Sequence, residues 1–381
     1  MSLFFLTYLV IYGGMHAYLF VKVRAAFPRM GRRWRLLLIV CLALLFAAPM
    51  AVRRLDGGAS IAVARVTAFV TFVWMAVLLW WFVLLLCSDV WNLVARALGR
   101  FVPKARGLAL RPRPALAVSA VLVVFACVWG LVEASAIQVT EITIRTRYLP
   151  AGSRPLRLVQ ISDVHLGLLV GEGRLRRIVD LVKSLEPDIL VSTGDLVDSS
   201  LDHSPNLAPM LAEVGAPLGK FACTGNHEFY PGLEKTLAFH EAAGFRVLRG
   251  ESVVIGGRLR IGGVDDPSHR GMRREKSITD ESLALPASSP RVAAVLLKHR
   301  PVVLDASAAR FDLQLSGHVH GGQIFPFGLI TRLFNPYAAG LHRLKSGAHL
   351  YVSRGAGTWG PPLRFFAPPE VTLIIITGEG T

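Results

Sequence analysis

Cysteine is scarce in this chain of 381 residues, which contains only four. Three of them, Cys41, Cys87 and Cys127, fall in or beside long apolar stretches, so Cys223 is the only thiol after residue 150. One thiol cannot form an internal disulfide, which excludes a disulfide-stapled fold there and leaves the redox compartment open. Apolar residues precede Cys223, and we expect a packed structural thiol rather than a reactive one.

Acidic residues are also few, since 26 Asp and Glu stand against 42 Lys and Arg and give a net charge of +16. The basic surplus is concentrated in residues 1–150, which contain 17 Lys and Arg but four Asp and Glu. That segment is also the most apolar part of the chain, so the surplus does not indicate a nucleic-acid-binding surface. We expect no nucleic-acid partner.

Charged residues make up 18% of the chain and hydrophobic residues 52%, with a mean hydropathy of +0.48, which excludes an ordinary soluble protein. Four apolar stretches each approach or exceed the roughly 17–25 residues that cross a bilayer as a helix. They are Leu3–Val21, Leu36–Val52, Ile61–Leu86 and Ala115–Val132. The first lacks a basic start and a small-residue cleavage site, which favours a retained span over a signal peptide. We predict an all-α four-helix transmembrane region at residues 1–133, in contact with the membrane bilayer.

Lysine and arginine are unevenly distributed among the loops between these stretches. Residues 22–35 and residues 96–113 each carry six Lys and Arg, whereas residues 53–65 carry three arginines and one aspartate. Short loops rich in Lys and Arg stay in the cytoplasm. We therefore expect a multi-pass protein of the inner or plasma membrane whose chain after about Glu133 is extracytoplasmic, which in a bacterium means periplasmic.

Residues 134–153 predict a linker with a lead-in strand, and residues 154–381 predict an α/β domain in which apolar runs alternate with helical periodicity. The predicted helices are Arg174–Leu185, Leu207–Val214 and Leu233–Ala243. The predicted strands are Gln138–Ile144, Leu156–Ile161, Ile189–Ser192, Phe221–Cys223, Leu259–Ile261, Val292–Leu297, Leu313–Ser316, His349–Ser353 and Val371–Ile376. We expect Leu259–Ile261, His349–Ser353 and Val371–Ile376 to extend a second sheet.

Five short polar segments follow the ends of predicted strands. They are Asp163-Val-His165, Gly194-Asp195, Gly225-Asn226-His227-Glu228, Lys298-His299 and Gly317-His318-Val-His320. Open α/β folds collect their sites at the carboxyl ends of strands, and glycines allow tight turns that present the next side chain. Each segment alone is more typical of a surface or core feature than of a metal site. Their shared position after strands favours one convergent site.

The side chains in these segments are metal ligands in type and spacing. Alternate residues of a strand share a face, so Asp163 and His165 point toward one place, and His318 and His320 repeat that spacing. Carboxylate with imidazole suits Mn, Fe or Zn better than Ca²⁺. Asp195 is suited to bridge two ions, because a carboxylate can give one oxygen to each. We predict two divalent metal ions, a device that hydrolyses phosphate esters.

This set of segments resembles the calcineurin-like metallophosphoesterase superfamily. The closing segment of the chain, from His318-Val-His-Gly-Gly-Gln323 through Tyr351-Val-Ser-Arg-Gly355 and Trp359-Gly-Pro-Pro362, is similar to the membrane-anchored bacterial branch of that superfamily. The resemblance covers about residues 154–376 and implies a two-sheet α/β/β/α sandwich. It implies that Asp163, His165 and His320 bind one metal, that Asn226, His299 and His318 bind the other, and that Asp195 binds both. It also implies that His227 is a histidine that faces the phosphate without binding metal.

The implied activity is hydrolysis of a phosphate monoester or diester by attack of a metal-bridging hydroxide, with His227, Asp195 and Asn226 as catalytic residues. His227 would act as an acid or hydrogen-bond donor toward the leaving oxygen. Either Asp198 or Glu228 could hold the tautomer of that imidazole. The apolar and basic stretch Ile324–Lys345 favours either a packed subdomain or a rim for an anionic lipid headgroup. The charged stretch Asp265–Glu281 favours a solvated loop over the site, and the alternative is that Arg270, Arg273 or Arg274 captures the phosphate.

The substrate is expected to be a phosphorylated small molecule or lipid, including a nucleotide-linked lipid. The resemblance extends to relatives that act on UDP-diacylglucosamine, so one alternative is a pyrophosphate hydrolase of lipid A metabolism; that reaction is cytoplasmic, which the predicted topology argues against. A second is a metal-binding membrane sensor without turnover, which the complete ligand set disfavours. Transport through the spans is disfavoured because the sequence indicates no intramembrane charge pair; Arg65, Asp89 and Glu133 lie near span ends. The sequence leaves metal identity and oligomeric state open.

Overall fold

The computed structural model describes residues 6–55, 60–150, 152–198, 206–267, 277–287 and 292–379. The chain divides into two compact units. The first comprises residues 1–131 with 360–363, and the second comprises residues 132–359 with 364–381. The first unit is helical, and the second contains both helices and strands.

The first unit is built from apolar helices. A π-helical turn, Tyr8–Tyr12, leads into α1 (Gly13–Ala26), and α2 (Arg32–Leu55), α3 (Ile61–Leu98), a 3₁₀ turn (Pro103–Leu108) and α4 (Pro112–Ser135) follow. Among the described residues, three helical segments are long and apolar enough to cross a bilayer: Arg32–Val52, Ile61–Leu98 and Pro112–Ser135. These helices fit a membrane protein. The described part of the first predicted stretch is also helical, and a count of four spans stays a prediction.

Polar contacts join helices inside this unit. The indole N–H of Trp74 donates to Nε2 of His16 at 3.0 Å. Lys22 and Asp89 form an ion pair, and the Tyr18 hydroxyl donates to the same carboxylate at 2.6 Å. Both residues lie just beyond the predicted spans Leu3–Val21 and Ile61–Leu86, so this pair is not the intramembrane pair that a transport path would need, and the sequence pattern does not link two residues 67 positions apart.

The second unit contains twelve strands and five short helices in its described residues. The helices are α5 (Glu172–Ser184), α6 (Leu207–Ala212), α7 (Leu233–Ala242), α8 (Glu281–Ala284) and α9 (Phe327–Phe334). The strands are β1 (Gln138–Thr146), β2 (Leu156–Ile161), β3 (Ile189–Ser192), β4 (Lys220–Ala222), β5 (Arg246–Val247), β6 (Glu251–Ile255), β7 (Leu259–Gly263), β8 (Ala293–Leu297), β9 (Leu313–Ser316), β10 (Gly340–Arg343), β11 (His349–Val352) and β12 (Glu370–Gly378).

These strands form two six-stranded mixed sheets. The order in the first is β1-β12-β2-β3-β4-β5, and the order in the second is β10-β11-β9-β8-β7-β6. The lead-in strand β1 is an edge strand, as its alternation predicts, and pairs in parallel with β12 along its whole length. The assignment of Val371–Ile376 to the second sheet is wrong, since β12 lies between β1 and β2 of the first. Its almost continuous burial identifies a central strand but not the sheet that holds it.

Three hydrophobic clusters define the layers of this unit. The inner faces of both sheets meet in one cluster that includes Leu158 and Val191 of the first sheet and Ile261 and Leu315 of the second. A second cluster packs α5 and α6 on the outer face of the first sheet, and a third covers the other face of the second sheet. The predicted α/β/β/α sandwich is confirmed. Cys223 is buried between the sheets, as expected.

The parallel strands at the centre of each sheet end at the predicted polar segments. β2, β3 and β4 run parallel to one another, as do β8 and β9. Asp163, Asp195 and Asn226 follow the first three strands, whereas His299 and His318 follow the other two. The sandwich therefore brings five separate loops to one place.

Candidate metal centre

Asp163, His165 and His320 form one cluster of ligand-type atoms. Nε2 of His165 lies 3.0 Å from Nε2 of His320, and the latter lies 3.5 Å from Oδ1 of Asp163. All three residues are buried. Asp163 is also held by the hydroxyl of Ser162 and by the backbone N–H of His318, both of which donate to its carboxylate. This cluster is the set that the resemblance assigns to one metal.

Asp195 connects this cluster to a second one. Its Oδ2 lies 3.2 Å from Nε2 of His299 and 3.8 Å from Nε2 of His165. Its Oδ1 accepts the backbone N–H of His227 at 2.9 Å. One carboxylate oxygen therefore faces both groups of imidazoles. This differs from the expectation of one oxygen for each ion, because Oδ1 is taken by a backbone N–H.

His299, His318 and Asn226 supply the second cluster. Nδ1 of His299 lies 2.8 Å from the carbonyl oxygen of Thr193, so that nitrogen donates and Nε2 is left for the site. Nδ1 of His318 lies 3.2 Å from Nε2 of His299. The amide N–H of Asn226 donates to the Tyr230 hydroxyl, whereas its Oδ1 is buried without a hydrogen-bond partner.

The donor set fits divalent metal ions. Among the described residues, three groups each hold three ligand atoms within 4.8 Å of one another: Asp163 with His165 and His320, Asp195 with His299 and His318, and Asp195 with His165 and His227. A buried amide oxygen without a donor is costly unless something else satisfies it, and a cation would do so. Mixed carboxylate, imidazole and amide donors suit Mn²⁺, Fe or Zn²⁺.

The backbone at the site is strained. In the described part of the chain, eight residues other than glycine have positive φ, and five of them belong to the predicted ligand set. They are Asp163, His165, Asp195, His318 and His320, with φ between 50° and 73°. Such conformations cost free energy and persist where the surrounding structure enforces them, commonly at functional sites.

Gly225 and Gly317 are required because a carboxylate lies where a Cβ atom would be, and not because the backbone makes a tight turn there. A Cβ on Gly225 would lie 2.1 Å from Oδ1 of Asp195, and a Cβ on Gly317 would lie 2.1 Å from Oδ2 of Asp163. Both glycines keep negative φ, unlike Gly194, whose φ is +89°. The expectation of tight turns thus applies to Gly194, whereas Gly225 and Gly317 leave space for the carboxylates.

The buried charges set the protonation of the ligand atoms. Burial alone would raise the pKa of Asp195, but the neighbouring His299 lowers it well below its usual value. Burial would lower the pKa of His299, yet Asp195 and Asp163 raise it overall. Burial and the charge of Arg364 both lower the pKa of His320, which keeps that imidazole neutral. These shifts favour an ionised Asp195 beside a protonated His299, and a bound divalent cation would take the place of that proton.

His227 lies beside the clusters with its ring enclosed by aromatic neighbours. Its centroid is 4.7 Å from that of His165, 4.6 Å from Tyr230 and 5.8 Å from Trp359. Its Nδ1 lies 2.7 Å from Oδ1 of Asp198, and its Nε2 lies 4.0 Å from Oδ2 of Asp195. Burial opposes a charge on His227, but its hydrogen bond with Asp198 and its attraction to Asp195 raise its pKa overall.

The carboxylate of Glu228 binds backbone N–H groups rather than holding the imidazole of His227. Its buried carboxylate accepts the backbone N–H groups of Asp195, Leu196 and Gly225 at 2.6–2.9 Å, and that of Val197 at 3.2 Å. It therefore joins the loop after β3 to the loop after β4. Lys298 also lies apart from the metal ligands, since its ammonium pairs with Glu281 at 2.5 Å.

Arg364 is a residue of the site that the sequence pattern did not reveal. Its guanidinium is fully buried, donates to the carbonyl oxygens of His320, Arg354 and Gly357, and lies 3.1 Å from Nδ1 of His320. It follows the Pro-Pro segment by two positions, and no motif marks it as more than a surface arginine.

Residues 268–276 of the expected charged loop, with His269 and three arginines, lie outside the described residues.

Comparisons with known proteins agree with this geometry. The model of the calcineurin-like phosphoesterase family matches residues 156–322, a range that contains all seven candidate metal ligands. An uncharacterized metallophosphoesterase of Aquifex aeolicus is 42% identical over 245 residues, which cover 64% of this chain and 93% of that protein. Proteins described as transmembrane proteins with a metallophosphoesterase domain are similar in Danio rerio (34% identity, 69% of this chain and 62% of that protein) and in Bos taurus (33%, 76% and 68%).

Proposed function

Since the chain belongs to the calcineurin-like metallophosphoesterase family and is a metal-dependent phosphoester hydrolase, we propose that it uses a binuclear centre to hydrolyse a phosphoester at a membrane surface. Residues 1–133 would anchor the enzyme, residues 134–153 would connect it, and residues 154–381 would carry the reaction. One observation carries the proposal: Oδ2 of Asp195 lies within 4 Å of Nε2 of both His165 and His299, and so faces two clusters of ligand atoms.

Asp163, His165, Asp195 and His320 would hold one metal, and Asp195, Asn226, His299 and His318 the other. Two such ions would supply positive charge toward the phosphoryl oxygens and would lower the pKa of a bound water, so that a nucleophile is available at neutral pH. His227 would donate a proton or hydrogen bond to the leaving oxygen, because its raised pKa favours the protonated ring. Asp198 would hold that ring with Nε2 facing the site.

The substrate class follows from the membrane helices. Three apolar helices on the same chain as the site favour a phosphorylated lipid, or a nucleotide-linked lipid, over a freely diffusing nucleotide. The loop charges favour an extracytoplasmic, periplasmic site in a multi-pass protein. A reporter enzyme that works only outside the cytoplasm, fused after Pro150, should therefore be active, and a silent fusion would contradict this orientation.

Reconstituted full-length protein loaded with Mn²⁺ tests the proposal. We expect two metal ions per chain by elemental analysis, and release of phosphate or alcohol from aryl phosphoesters and from phospholipids. His318→Ala should lower both metal content and turnover. His342→Ala is the matched control, because His342 lies in β10, outside the clusters.

Two outcomes would contradict the proposal. Full metal content without hydrolysis of any phosphoester would favour a sensor over an enzyme. Equal turnover in the His318→Ala and His342→Ala variants would show that the cluster does not carry the reaction.

A further inference from the structure

The large apolar side chains of helix α9 are exposed rather than packed in the domain core. None of its eight residues is buried, and its large side chains Phe327, Leu329, Ile330, Leu333 and Phe334 are all at least 48% exposed. Leu333 and Phe334 are 81% and 79% exposed. Exposed apolar patches of this kind in soluble proteins mark interaction sites. The helix therefore presents its apolar face away from the domain that carries it.

The opposite face of α9 contacts the turn that carries His320. A Cβ on Gly322, in that turn, would lie 2.2 Å from Cα of Gly328, so two backbones meet there without side chains. The helix is thus fixed to the rim of the metal centre by its small-residue face. Its outward apolar face cannot turn inward without breaking this contact.

A second exposed aromatic group extends the apolar face. Phe366 is 70% exposed, has a positive φ of 59°, and packs its ring 5.9 Å from that of Phe325, just before α9. The backbone N–H of Phe325 also donates to the carbonyl oxygen of Phe365 at 3.0 Å. α9, Phe325 and Phe366 therefore form one continuous surface, which we call the apolar platform.

The platform is tied to the end of the last membrane-length helix. The carboxylate of Glu133, in the last turn of α4, accepts the backbone N–H groups of Phe366 and Ala367 at 3.2 and 2.8 Å. The guanidinium of Arg174 adds a contact by donating to the carbonyl oxygens of Ala134 and Ala356. These bonds join the loop that carries Phe366 to residues 133–134, at the start of the second unit.

The sequence that forms and follows α9 is basic. Arg332 lies in α9, and Arg343 and Lys345 follow in β10 and its turn; all three are exposed. Helices that lie in the membrane interface combine an apolar face rich in Phe and Leu with nearby basic residues, which attract anionic headgroups. No acidic residue occurs between Ile324 and Lys345.

We propose that the apolar platform is inserted in the bilayer interface, so that the rim of the metal centre rests on the lipid surface. The partner is the bilayer itself, and the contact does not depend on which phosphoester is hydrolysed. Interfacial helices bury their apolar face roughly 5–10 Å into the boundary between headgroups and acyl chains. Leu333 and Phe334, the most exposed residues of α9, should reach deepest.

Site-specific fluorescence in the full-length chain tests this proposal. Cys41, Cys87 and Cys127 are replaced by serine, and Leu333→Cys is labelled with an environment-sensitive dye. The control is Val254→Cys, an exposed apolar position (45%) on β6, at the opposite edge of the sheet from β10. Nanodiscs of phosphatidylethanolamine and phosphatidylglycerol, each with one copy of the protein, carry nitroxide lipids at shallow or deep acyl positions.

We expect blue-shifted emission at position 333 and stronger quenching by the shallow nitroxide than by the deep one, with neither effect at position 254. Equal, water-like emission at both positions would overturn the proposal. Shielding of position 333 that appears only in liposomes with many copies would also overturn it, because a second copy would then be the partner. Fluorescence is measured without metal or substrate, so the result does not depend on the proposed activity.

Discussion

Oδ1 of Asp198 lies 2.7 Å from Nδ1 of His227 and 3.4 Å from Nδ1 of His165. One carboxylate thus contacts the outer nitrogen of a candidate metal ligand and of the candidate proton donor. Burial would raise the pKa of Asp198, but these two histidines lower it, which keeps the carboxylate ionised. Of the two acids considered for the tautomer of His227, the geometry selects Asp198, since Glu228 is occupied by backbone N–H groups.

Replacing Asp198 by asparagine should lower turnover and change its pH dependence. The isostere keeps the shape but loses the negative charge that raises the pKa of His227. A protonated His227 is present below its pKa, so the alkaline limb of the rate profile should move to lower pH. Partners of this kind typically contribute about 10- to 100-fold. A profile of kcat against pH checks this, and an unshifted alkaline limb would contradict it.

Replacing His227 by alanine should separate chemistry from metal binding. The ring does not belong to the ligand set implied for either metal, so both metals should stay, whereas kcat should fall by roughly 10²–10⁴, the usual contribution of a positioned acid. Metal content and turnover of the same preparation give the answer. Unchanged turnover with full metal content would reject the role assigned to His227.

Replacing Asp195 by alanine should remove the metals themselves. Its Oδ2 lies near both His165 and His299, so its loss affects both clusters. We expect both metals to be lost on dialysis, whereas His318→Ala should weaken mainly one. The measurement is metal content after dialysis against a weak chelator. Retention of both ions in Asp195→Ala would show that this carboxylate does not bridge.

The positions of the polar segments were predictable because two local rules agree. Apolar runs indicate strands, and a glycine or polar residue after the run marks the strand end. The strands β2, β3 and β9 begin and end at the residues predicted from the sequence. Parallel strands then bring their carboxyl ends to one edge. Asp163, Asp195 and His318 follow this logic without any knowledge of the sheet order.

Features that depend on distant contacts were not predictable. The sequence of β12 indicates a strand that is buried on both faces, but a central strand of either sheet has this property. The pairing of β12 with β1 could therefore not be inferred. The roles of Asp198 and Arg364 depend on side-chain directions across loops, which periodicity does not encode. The composition of Ile324–Lys345 left a packed subdomain and a lipid-facing rim as alternatives. The apolar side chains of α9 are exposed, because its Gly328 face makes the contact with the domain.

Replacing Glu228 by glutamine should destabilise the fold without removing a metal ligand. The carboxylate of Glu228 accepts hydrogen bonds from four backbone N–H groups. In the glutamine variant, the side-chain NH₂ is itself a donor, so at least one of these N–H groups would lose its acceptor. Leaving a buried donor unsatisfied costs about 1–3 kcal/mol of the free energy of unfolding. Thermal unfolding in detergent should show a lower midpoint than for Glu234→Gln, an exposed position in α7. Equal midpoints would mean that the loops are held together by other contacts.

Metal binding should release protons and weaken as pH falls. In the metal-free site, Asp195 and Asp163 outweigh burial and raise the pKa of His299, so its imidazole is protonated at neutral pH. A metal at Nε2 must displace that proton, and apparent affinity should then fall roughly tenfold per pH unit for each proton released. Titration calorimetry with Mn²⁺ in two buffers of different ionisation enthalpy, at one pH, measures the release directly. Identical heats in both buffers would contradict the prediction, and His342→Ala, outside the clusters, should behave as the unmodified chain does.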